Sequence, residues 1–136
     1  MNTITLTLDL PPRELSPNHQ PASRGGRMGK AAKTKAYRRY VAMVALAALG
    51  RRPAPMWPAA TLSLAFYFAT KRRRDKDNAA ASFKAGRDGL ADAGIVANDC
   101  GITDLPVVMQ VDKDRPSLTA TISEAHAPLL DREGRA

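Results

Sequence analysis

Apolar and polar residues alternate from Thr3 to Leu10, which puts Ile4, Leu6, Leu8 and Leu10 on one face of a strand. Pro11 and Pro12 end it, since neither donates a ladder hydrogen bond. Arg13 to Gly29 is rich in Pro, Gly, Ser and Asn and reads as a long mobile loop. From Ala31 to Leu49 the period becomes helical, with Tyr37, Val41, Val44 and Ala48 as the apolar stripe and Gly50 as the stop. Pro53, Pro55 and Pro58 keep the next stretch irregular. Thr61 to Phe68 alternates again, with Leu62, Leu64, Phe66 and Phe68 on one face.

A second helix is expected from a cap at Asp77 or Asn78 to about Asp92, stopped by Gly94, with Ala80, Phe83, Leu90 and Ala91 inward. Gly86 and Gly89 each cost that helix roughly 1 kcal/mol against alanine, a cost that close packing against the sheet or a symmetry mate would explain. Leu105 to Val111 reads as a third strand, Asp112 to Arg115 as a turn and Ser117 to Ser123 as a fourth strand, the last two forming a hairpin. The expected fold is a small two-layer α/β domain, order β-α-β-α-β-β, with a mixed sheet of about four strands and two principal helices. It spans residues 1–124, followed by a flexible tail over 125–136.

Charge sharpens this picture. The 136 residues carry 21 basic and 13 acidic side chains, a net charge of +8, which attracts nucleic acid, anionic membrane or an acidic protein. Cys100 is the lone cysteine and His19 and His126 the only histidines, so cysteine-based zinc sites and histidine-rich metal sites are excluded. No apolar run approaches the roughly 20 residues that span a bilayer, and the start is not a signal peptide. A cytoplasmic protein without a membrane role is the expectation.

The densest chemistry lies in KRRRDKDN, where Lys71, Arg72, Arg73 and Arg74 run into Asp75, Lys76 and Asp77. In extended chain, residues two apart point the same way, so both carboxylates can face one ion. Magnesium takes hard oxygen ligands and keeps several waters, and two or three carboxylates suit it. Asp99 follows the Gly94 turn and can rejoin the pair as a third ligand, with Asp104 as its rival. On a continuous helix Asp77, Lys84 and Asp88 share a face, with Lys84 roughly 10 Å beyond Asp77 along the axis. Lysine there can touch a phosphate or neutralise developing charge. The competing reading of Asp75 and Asp77 is a capping pair on a solvated surface. Asp88 and Asp92 read as surface partners of Lys84 and Arg87.

A second basic cluster, Arg24, Arg27, Lys30, Lys33, Lys35, Arg38 and Arg39, contains no acid and suits phosphate contacts that give affinity without sequence information. Asn18 and His19 in the polar loop can touch a phosphate or base, Trp57 reads as a core anchor, and Cys100 reads as incidental.

These residues carry a family pattern. LDLPP followed by SPN, the strand LSLAFYF, RRRDKDN and SFKAGRDGLADAGIVAND resemble the RusA family of Holliday-junction resolvases, common in phages and prophages, over roughly Thr3 to Ile122. The resemblance implies a homodimeric endodeoxyribonuclease dependent on Mg2+, with Mn2+ as the alternative, that places paired nicks across a four-way DNA junction. It implies Asp75, Asp77 and Asp99 as the acidic triad and metal ligands, and Lys84 as the helix lysine. The pattern departs from the family in the longer gap between Asn78 and Lys84, and in Asn98 where a second carboxylate is common. The alternatives are a non-catalytic branched-DNA-binding protein with the same fold, and a broader nuclease for flaps and other branched DNA.

Overall fold

The computed structural model of the chain describes residues 2–19 and 21–125. Five strands make one mixed sheet: β1 (Thr3–Leu8), β2 (Ala60–Phe68), β3 (Ile102–Asp104), β4 (Val108–Val111) and β5 (Ser117–Glu124). The helices are α1 (Arg24–Leu49), α2 (Lys76–Ala81) and α3 (Lys84–Asp92), with short 3-10 turns at Arg13–Leu15 and Asp99–Gly101. The expected α/β class and mixed sheet hold, with one strand more than expected.

β5 lies between β1 and β2 and pairs antiparallel with both, while β3 and β4 both pair parallel with β2. The expected hairpin between the last two strands does not form. β4 bonds to β2 instead, because Leu118, Ala120 and Ile122 of β5 complete apolar rows between β1 and β2. Ile4, Ile122 and Leu62 form one such row, Leu6, Ala120 and Leu64 the next, and Leu8, Leu118 and Phe66 the third; all nine are buried. The period of two thus sets register, since a one-residue slip would turn each row to the opposite face.

α1 begins seven residues before the expected Ala31. Ser23 caps it, its hydroxyl accepting from the Gly26 amide at 3.0 Å. Gly25, Gly26 and Gly29 argued for a loop in the sequence; the cap, and ties between α1 and residues 9–19, offset their poor helix propensity. Its buried residues are Tyr37, Val41, Ala45 and Leu49, so the stripe advances by four and leaves Ala48 exposed. Gly50 ends it with a φ of 62°, as expected. Trp57 is buried and its backbone bonds to Ile95 and Ala97, the core role read from the sequence.

The single second helix of the sequence reading is two helices. The break falls at Ser82 and Phe83, where the Phe83 amide bonds to the Ala80 carbonyl in a tighter turn and the Ser82 hydroxyl donates to the Ala79 carbonyl. The break aims the fully buried Phe83 into the core, its ring lying over Gly86 where a Cβ would collide. Gly89 has a different neighbour: a Cβ there would lie 2.5 Å from the Arg38 carbonyl oxygen and 3.1 Å from Val41. Within the chain, the two glycines admit Phe83 and α1 rather than the sheet. The tail expected to be flexible falls, beyond Ala125, outside the described residues.

Substitution Gly89→Ala tests this packing. Alanine improves helix propensity by roughly 1 kcal/mol, but its methyl meets backbone that cannot rotate away, and overpacking costs about 1–3 kcal/mol. Urea unfolding is expected to show net destabilisation; a more stable variant would show that α1 and α3 are not in such close contact.

Candidate active site

The end of β2, the segment after it and the Leu10–Asn18 loop enclose a cleft of about 400 Å3. Asp75 and Asn78 form part of one wall, Pro11, Pro12 and Arg13 part of the other, and Phe66 and Phe68 lie between them. The two rings stack with centroids 5.8 Å apart. Arg74 lays its guanidinium over Phe68, 3.9 Å from the ring centroid, and donates to the Thr70 carbonyl at 2.9 Å. Burial, with Arg72 nearby, lowers the Arg74 pKa from its ordinary value.

The opposite wall is held by α1. The Tyr37 hydroxyl donates to the Asp9 carbonyl at 2.8 Å, and the Asp9 amide donates to the Tyr40 hydroxyl at 2.9 Å. Burial raises the Tyr37 pKa above its ordinary value, so the phenol remains a donor. Lys33 pairs with Glu14 at 3.2 Å and Lys30 donates to the His19 carbonyl at 3.2 Å. Backbone hydrogen bonding and Lys33 hold the Glu14 carboxyl below its usual range.

Asp75, not Asp77 or Asn78, caps α2. Its Oδ1 accepts from the Asp77 amide at 2.8 Å and the Asn78 amide at 3.4 Å. Asp77 is exposed in the first turn, with no side-chain partner among the described residues. The capping reading is therefore correct for Asp75, and it leaves Oδ2 and both Asp77 oxygens for another ligand. A magnesium ion that keeps most of its waters needs only one or two carboxylates plus a substrate phosphate, and this pair fits that demand.

Asp99 does not join them: among the described residues no three His, Cys, Asp or Glu side chains gather as a metal site. Asp99 precedes β3, whose first residue pairs with Ala60, whereas Asp75 lines the cleft with Phe66 and Phe68. Ala60 and Phe66 are separated by about 20 Å at the strand rise. Asn98 caps the Asp99–Gly101 turn, its side chain accepting from the Cys100 amide at 2.9 Å. Asp104 pairs with Arg87, an engagement that weakens it as the alternative ligand. Lys84 is exposed at the start of α3, and the break before it cancels the shared helical face with Asp77.

Several cations expected on nucleic acid also have partners within the chain. Besides Lys30 and Lys33, Arg38 makes a bidentate pair with Asp92 at 2.6 and 2.8 Å and approaches Asp88 at 3.9 Å. Asp88 and Asp92 thus serve α1, not Lys84 or Arg87 on their own helix. Arg24, Arg27, Lys35, Arg39, Lys71, Arg72, Arg73 and Lys76 are exposed, with no ion pair among the described residues. Sequence reasoning missed the Arg74–Phe68 stack and the place of Asn78 in the cleft; the signal available was an aromatic strand end running straight into arginines.

One comparison bears on the domain as a whole. The family model described as endodeoxyribonuclease RusA matches residues 10–123. The chain belongs to the RusA family. Its members are endodeoxyribonucleases that act on Holliday junctions, and the matched span includes both walls of the cleft, α1–α3 and nearly all of β5. No individually curated protein matches. No helix among the described residues is long and apolar enough to cross a membrane.

The Arg38 tie has a pH signature. The hydrogen bonds from Arg38, reinforced by its charge, hold the Asp92 carboxyl below its ordinary range despite partial desolvation. A depressed carboxylate pKa contributes stability above the unfolded value, lost as pH falls through the folded one. Arg38→Ala is expected to lower the urea midpoint at pH 7, the two proteins converging below about pH 4. A constant difference across that range would assign the effect to packing.

Proposed function

We propose that this RusA-family protein is a magnesium-dependent, structure-selective endonuclease that resolves four-way DNA junctions by paired nicks, acting as a homodimer. The observation that carries this reading is the Asp75–Asp77 pair, at the end of four consecutive cations and beside an open cleft. Metal bound at the pair would supply Lewis acidity and an acidified water. Asp77 would hold it with free oxygens, while Asp75 contributes Oδ2 and keeps Oδ1 on the α2 backbone. Lys71 to Arg73 and Lys76 would bind phosphates flanking the scissile bond, and Lys84 would neutralise charge developing on it. Water adds to phosphorus and one P–O ester bond breaks, leaving a phosphate monoester and a hydroxyl terminus. Two copies related by a two-fold axis would bring one acidic pair to each of two opposing strands.

The separation of Asp99 from the pair favours one second reading, a branched-DNA-binding protein without nuclease activity. A labelled four-way junction, incubated with magnesium or chelator, decides between them. Symmetrically paired nicks that need magnesium support the first reading; tight binding without product supports the second.

Asp75→Asn separates chemistry from structure, because asparagine caps a helix about as well as aspartate. Unfolding stability is expected to change by less than about 0.5 kcal/mol, while nicking falls by at least about 100-fold. Retained nicking would exclude Asp75 as a ligand. Replacing Arg24 and Arg27 with alanine is expected to flatten the slope of log affinity against log salt by about 0.9 per lost phosphate contact. Arg38→Ala leaves that slope unchanged, because its guanidinium is held by Asp92; equal slope changes would place Arg38 on DNA.

A further inference from the structure

Holding an acidic pair does not account for the whole cleft beside Asp75. Its volume of about 400 Å3 lies within the range of small-ligand sites. Leu10, Pro11, Pro12 and Phe68 give it an apolar lining, and Arg13 and Arg72 add charge. Two carboxamides from distant parts of the chain, Asn18 and Asn78, also line it. Their backbone amides are occupied, Asn18 by the Ser16 hydroxyl and Asn78 by Asp75. Neither side-chain amide has a partner among the described residues.

We propose that this cleft is a subsite for one unstacked nucleotide of the branched DNA, with Asn18 and Asn78 reading the edge of its base. The subsite rests on the proposed function, because the branch point supplies the strand. A stacked base pair presents only its edges to a protein surface, whereas a base freed at a branch exposes its faces and its pairing edge. Freeing it costs a few kcal/mol, least where pairing is already lost. Prolines on one wall, and on the other the guanidinium plane that Arg74 lays over Phe68, receive the faces of such a base. A carboxamide carries a donor and an acceptor together and pairs with a base edge in two bonds. The cations of the cleft meet the attached phosphate, and Asp75 in the same wall places the neighbouring phosphodiester beside the acidic pair. Base identity in the cleft would then select which phosphodiester of a junction is cut.

The test uses the full chain and four-way junctions carrying 2-aminopurine at single positions around the branch, bound in chelator and then nicked in magnesium. Brightening confined to one position per strand is expected. The Asn18→Ala, Asn78→Ala double variant is expected to lose about tenfold in discrimination between bases at that position, its affinity for every base falling to that of the wild type for its disfavoured bases. Asn18→Asp, which keeps only acceptors, is expected to shift preference toward cytosine, a change that loss of folding cannot mimic. Nicking without brightening at any position, or discrimination intact in the double variant, overturns the subsite and leaves the nuclease reading standing. Brightening without nicks keeps the subsite and overturns the nuclease reading. Neither brightening nor nicks overturns both.

Discussion

The last described strand occupies the middle of the sheet. β5 bonds to β1 on one side and β2 on the other, so those two strands meet only through it. Its alternating Leu118, Ala120 and Ile122 complete the three apolar rows on which the helices lie. Contacts between chain ends of this kind carry a large loop-closure cost and are repaid only when the rows assemble. With β5 in place, β2 runs with its far end toward the cleft and its edge open to β3 and β4.

The other structural dependence is electrostatic. Basic side chains on α1 fall into two groups with different work. Lys30, Lys33 and Arg38 point at partners within the chain, and with Tyr37 and Tyr40 they fasten residues 9–19 and α3 to one helix. Arg24, Arg27, Lys35 and Arg39 have no such partner among the described residues, and residues 24–36 are exposed apart from half-buried Lys30. A basic cluster that looks uniform in sequence is therefore part fastener and part free surface. The fastened part matters for the site, because it holds one wall of the cleft while the Arg74–Phe68 stack helps hold the other.

Much of this was legible from residue patterns. Strict alternation identified β1, β2 and β5 because one face of each is buried and the other polar. Gly50 and Gly94 marked helix ends because both adopt positive φ. The acidic pair was legible for a local reason, since two residues two apart at the start of a helix must lie together. Family resemblance named the fold and the reaction class, which the match over residues 10–123 bears out.

What pattern could not supply was partnership across the chain. Arg38 and Asp92 are 54 residues apart and Lys33 and Glu14 are 19 apart, so no local rule separates them from cations awaiting a phosphate. The partner of β4 is β2 and not the neighbouring β5, a choice set by which strand can finish the apolar rows. The break at Ser82–Phe83 arises because one aromatic ring must reach the core, which overrides a periodicity that would otherwise continue. The sequence by itself determined the strand faces, the helix stops and the acidic pair, all products of short-range geometry. Only tertiary structure decided which charges are spent on folding, where Asp99 lies relative to Asp75, and that Asn18 and Asn78 share one cleft, because each depends on segments brought together by burial of a common core.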